Sequence, residues 1–66
     1  MQVYVNGQAR EVEGAATLAH LLESVSAPAK GIAVEVNREL IRRADHGTRP
    51  LQEGDRVEIV GLVGGG

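Results

Sequence analysis

The opening stretch MQVYVNGQAREVE (residues 1–13) decides how the rest of the chain must be read. Asn6-Gly7 lies between two strand-like runs, and a two-residue type I′ turn needs positive φ at both central positions, which Asn and Gly tolerate best. The pair predicts a hairpin joining a strand over residues 2–6 to a second over residues 8–13. In that register Met1 faces Val12, Val3 faces Arg10 and Val5 faces Gln8 on one side, while Tyr4 and Ala9 share the other. Arg10 fits poorly beside Val3 and Val5. Either its aliphatic stem runs past the core edge to water, or a bulge shifts the second strand.

Beyond the hairpin, TLAHLLESVSAP (residues 17–28) places Leu18, Leu21, Leu22 and Val25 at i, i+3, i+4 and i+7, the spacing of one apolar helix face. Thr17 is a suitable N-cap and Pro28 ends the element. His20 falls on the opposite, solvated face. IAVEVN (residues 32–37) alternates Ile32, Val34 and Val36 inward. A short Asn37-Arg38-Glu39 turn then leads to Leu40 and Ile41, followed by a polar stretch over residues 42–49. In PLQEGDRVEIVGLV (residues 50–63), Glu53-Gly54-Asp55 forms a turn, with Asp55 a turn former and strand start. The last strand sets Val57 and Ile59 on one face and Glu58, Val60 and Leu62 on the other. A single helix must bury its stripe against one face of the sheet. The expectation is an α+β roll, a mixed sheet of four to five strands crossed by one main helix.

Composition narrows the functions available. A chain of 66 residues allows one domain, with about 60% of its unfolded surface buried on folding. The expected division is a domain over residues 1–60 and a flexible C-terminal tail over 61–66. Phe and Trp are absent and Tyr4 is the single aromatic residue, which removes any base-stacking platform. The absence of Cys excludes disulfides, thiolate metal sites and a cysteine nucleophile on this chain. A net charge of −2 with scattered signs gives no footprint for a nucleic acid. Neither a signal peptide nor a membrane span is evident, so the expected compartment is cytoplasmic. His20 and His46 lack a third ligand and are read as solvated, with no metal expected. Arg38, Arg42, Arg43 and Arg49 are read as a solvated face.

The order of these pieces carries a resemblance. VNG at residues 5–7, TLAHLL at 17–22, AVEVN at 33–37, PLQEGDRVEIV at 50–60 and VGGG at 63–66 together resemble the ubiquitin-like β-grasp proteins, specifically the ThiS family of sulfur carriers in thiamine (thiazole) biosynthesis. The resemblance implies a β-grasp fold and a chain that is not itself an enzyme. Gly66 would be the residue adenylated and thiocarboxylated at its carboxylate. Gly64 and Gly65 would thread a partner's active site. Implied partners are an E1-like adenylyltransferase of the ThiF type, a thiazole synthase of the ThiG type and a sulfur donor such as a cysteine desulfurase system. No cofactor is bound stably, and ATP is used by the E1-like partner.

The residues themselves agree with that chemistry. An α-carboxylate is ionised at neutral pH and can attack the α-phosphorus of ATP. Glycine offers no Cβ to obstruct entry into another protein's site. Tyr4, Val60 and Leu62 are the candidate docking residues, on the expectation that the first strand brings Tyr4 beside Val60. Three other readings remain open at this point: the small subunit of molybdopterin synthase, a ubiquitin-like modifier of lysine side chains, and a binding module with an inert tail.

Overall fold

The hairpin forms in the register read from its turn. Strand β1 spans Gln2–Val5 and β2 spans Gln8–Glu11, joined by Asn6 at φ 49 and Gly7 at φ 84. Cα partners are Gln2 with Glu11, Val3 with Arg10, Tyr4 with Ala9 and Val5 with Gln8. The ladder extends one pair further, as the Met1 ammonium donates to Val12 O (2.7 Å) and Val12 N–H donates to Met1 O (2.8 Å). No bulge interrupts it. All of β2 is exposed, so Arg10 reaches water at the sheet edge while its partner Val3 is fully buried. The computed structural model describes residues 1–61.

Helix α1, Leu18–Ser24, buries Leu18, Leu21 and Leu22, with Val25 half-buried at its C-cap. Thr17 caps it, and His20 completes the cap: Thr17 Oγ1 accepts from His20 N–H (3.3 Å) while Thr17 N–H donates to His20 Nδ1 (3.1 Å). His20 is exposed as expected, yet it holds the helix start. The helix ends before Pro28, in a Schellman arrangement with Ser26 at φ 57, Ser26 N–H on Glu23 O (3.0 Å) and Ala27 N–H on Leu22 O (2.9 Å).

Strand β3, Ile32–Val36, pairs antiparallel with β4, Glu39–Leu40. Their turn has two residues, Asn37 (φ 52) and Arg38 (φ 70), so Glu39 belongs to the strand and faces Val36. The polar stretch contains a 3₁₀ turn, Arg43–Asp45, and His46 is half-buried with Nε2 3.1 Å from Ile41 O. That corrects its reading as a solvated histidine, because the turn folds its ring back onto the chain beside buried Ile41.

Strand β5, Arg56–Gly61, occupies the middle of a five-stranded sheet of order β2-β1-β5-β3-β4. It runs parallel to β1 and antiparallel to β3. Side chains of α1 pack with Val3, Val5, Val34, Val36 and Val57 in one aliphatic core. One mixed sheet crossed on one face by one helix is the β-grasp arrangement. Gly61, assigned from sequence to the tail, is instead the last residue of β5 and pairs with Ile32.

Serine at the left-handed position after α1 carries a Cβ penalty that glycine lacks. Ser26→Gly is expected to raise unfolding free energy by about 0.5–1 kcal/mol, read as a higher urea midpoint at unchanged slope.

Candidate functional site at the end of the central strand

What positions β5 begins four residues before its first residue, Arg56. Gly54 at φ 84 closes a turn in which Asp55 N–H donates to Gln52 O (3.0 Å), leaving the Asp55 side chain 5% exposed. Its carboxylate accepts from Gln52 N–H (2.8 Å) and from Asn37 Nδ2 (2.9 Å). Asn37 Oδ1 accepts in turn from Arg56 N–H (2.9 Å). Tyr4 N–H donates to Asp55 O (2.9 Å). The start of β5 is therefore tied to β1 on one side and to the β3–β4 turn on the other. Sequence reading identified Asp55 as a turn former and missed this second bond, whose partner lies 18 residues away.

Further along, β1 runs out. Parallel pairing covers only Tyr4 with Arg56 and Val5 with Val57, because the chain turns away at Asn6-Gly7. The Asn6 side chain continues the edge in place of a strand: Ile59 N–H donates to Asn6 Oδ1 (2.8 Å) and Asn6 Nδ2 donates to Ile59 O (3.3 Å). Asn6 thus serves twice, once by its backbone and once by its amide. Only the first use could be read from the sequence.

This geometry corrects one expectation. Tyr4 does not lie beside Val60 but opposite Arg56, whose guanidinium stands 4.7 Å from the centre of its ring. Val60 is four residues further along β5, about 13 Å at strand rise, and pairs with Ala33 of β3. Both side chains share the outer face, at different places on it. Val57 is buried against the core, Ile59 is half-buried, and Val60 is 54% exposed. Leu62, Gly64, Gly65 and Gly66 lie outside the described residues.

A concavity of about 510 Å³ lies between the end of β2 and α1, lined by Glu13, Ala16, His20 and Leu21 among others; β5 contributes nothing to it. Among the described residues no three His, Cys, Asp or Glu side chains come together as a metal site would require. No described helix is long and apolar enough to cross a membrane.

A five-stranded mixed sheet crossed on one face by one helix defines a small ubiquitin-like domain. The chain belongs to the ThiS family, whose model matches residues 3–66. It is 42% identical to the sulfur carrier protein ThiS of Thermus thermophilus over 97% of this chain and 98% of that one. It is 35% identical to a thiazole synthase of Magnetococcus marinus, where the whole chain spans 20% of the relative's length. The crystal structure of a thiamine biosynthesis protein (ThiS) from Geobacter metallireducens superposes with a TM-score of 0.85 at 30% identity, covering 100% of both chains.

Asn6→Gly keeps the positive φ and deletes both amide bonds to Ile59. The expected result is a stability loss of about 1 kcal/mol and faster hydrogen exchange at the Ile59 amide, measured by NMR.

Proposed function

We propose that this chain is the sulfur carrier for thiazole formation in thiamine biosynthesis, with the Gly66 carboxylate as the group that carries sulfur. The observation that carries the reading is the full-length likeness to ThiS proteins, which takes in the glycine end as well as the folded domain. The carboxylate attacks the α-phosphorus of ATP, releasing pyrophosphate and leaving an acyl adenylate. A sulfur nucleophile at the oxidation level of sulfide then attacks the acyl carbon, AMP departs, and a thiocarboxylate remains. This chain contains no Cys, so catalytic groups for both steps come from partners.

In this reading the chain is a substrate passed between proteins, not a catalyst. An E1-like adenylyltransferase uses the ATP, a cysteine desulfurase system supplies sulfur as a persulfide that a thiol reductant brings to the sulfide level, and thiazole synthase receives it. Relatives named thiazole synthase in Magnetococcus marinus and Paramagnetospirillum magneticum match the whole of this chain within a longer polypeptide, which supports the last of these partners. All three steps place the carrier in the cytoplasm. Gly64 and Gly65 pass through the partner's channel, and Val60 and Leu62 contribute contacts to its mouth.

Deleting Gly66 is expected to abolish sulfur transfer to thiazole synthase in a reconstituted assay while leaving the melting temperature unchanged, since a terminal residue makes few contacts. Retained transfer would sink the reading. Leu62→Glu is expected to raise the Kd for a partner about tenfold without unfolding the domain, by placing a charge in an apolar contact; titration calorimetry on the full-length chain checks it.

A further inference from the structure

The outer face of the sheet holds an arrangement that the fold does not explain. Glu35 of β3 and Glu58 of β5 are direct cross-strand partners, so two carboxylates face each other in the middle of an antiparallel ladder. Like charges at such positions repel and destabilise the sheet. Neither takes part in an ion pair among the described residues, where Arg42 is engaged with Asp45 and Arg49 with Glu39. Arg56 shares the face, yet its guanidinium lies over the Tyr4 ring. The remaining residues, 62–66, contain no Lys or Arg.

Two exposed apolar residues flank this pair. Leu40, 63% exposed, is the cross-strand partner of Glu35, and Val60, 54% exposed, follows two residues after Glu58 beside Ala33. These are the two large exposed hydrophobic residues among those described. A carboxylate pair between apolar neighbours fits a cation that is desolvated on binding, where charge-assisted hydrogen bonds are strongest.

Chain length places a partner here. Five residues separate Gly61 from the terminal carboxylate, and fully extended they span about 17 Å. A protein that takes the carboxylate into its own site must bring its surface within that distance of Gly61. The inner face of β5 is covered by α1, so the open approach to the strand end is the face that carries Glu58 and Val60.

We propose that Glu35 and Glu58 together seat an arginine or lysine side chain of thiazole synthase, with Leu40 and Val60 as the apolar rim. This rests on the carrier reading and adds the chemistry of the partner's contact. The repulsion between the two carboxylates is relieved only in the complex. Removing it therefore has opposite effects on the isolated domain and on binding.

The test is the Kd of the full-length chain for purified thiazole synthase at low and high salt. The variants are Glu35→Gln, Glu58→Gln, the double variant, and Glu23→Gln on the exposed surface of α1 as an equal change in net charge. The double variant is expected to bind about tenfold more weakly or worse, to lose most of the salt dependence, and to melt no lower than the parent. Glu23→Gln is expected to bind as the parent does. Unchanged binding by the double variant, equal weakening by Glu23→Gln, or weakening accompanied by a lower melting temperature each overturns the proposal. A double variant that is thiocarboxylated by its adenylating partner and binds the synthase as tightly as the parent overturns this seat and leaves the carrier reading standing. A parent that is never thiocarboxylated overturns both.

Discussion

The carboxylate of Asp55 is the contact on which the rest of the structure depends. It is buried, it accepts from Gln52 N–H and Asn37 Nδ2, and through Asn37 it reaches Arg56 N–H. Hydrogen bonds to a charged group contribute about 1.5–3 kcal/mol each, against about 0–1 for an exposed ion pair such as Arg42–Asp45. The comparison shows why the start of β5 and not the charged surface sets the geometry. Held there between β1 and β3, the strand has one register, and a one-residue slip would carry Val57 out of the core and Glu58 into it.

A central position for the last strand has a functional consequence. An edge strand can fray, but β5 is paired with β3 along its length and secured on its other side by β1 and then by the Asn6 amide. The described part of β5 therefore ends at Gly61 in a fixed place. In the carrier reading, a partner docking on the outer face would meet the chain beyond Gly61 at a defined place, and glycine at the terminus would remove side chains from the path into its site. Rigidity belongs to the domain, and steric permissiveness belongs to the composition of residues 64–66.

Local signals made most of this legible in the sequence. Asn6-Gly7 set the hairpin register, the Leu18, Leu21 and Leu22 spacing gave the helix face, and alternation placed Val34, Val36 and Val57 inward, all as the structure has them. Side chains that act on a distant backbone were not legible. Asn6 and Ile59 are 53 residues apart, Asn37 and Asp55 are 18 apart, and neither pairing leaves a local pattern. The placement of Tyr4 beside Val60 failed for a related reason: neighbouring strands could be inferred, but not their stagger, which depends on where β1 turns away. The opposition of Glu35 and Glu58 is likewise a product of register and cannot be seen in either strand alone.

The central claim is that Gly66 carries sulfur on its carboxylate. Intact-mass spectrometry with fragmentation of the C-terminus, after incubation with ATP, a sulfur source and an extract that charges a known carrier, tests it most directly. The account predicts a mass gain equal to one oxygen exchanged for one sulfur, confined to Gly66. An unmodified C-terminus under those conditions, or sulfur elsewhere on the chain, would contradict it.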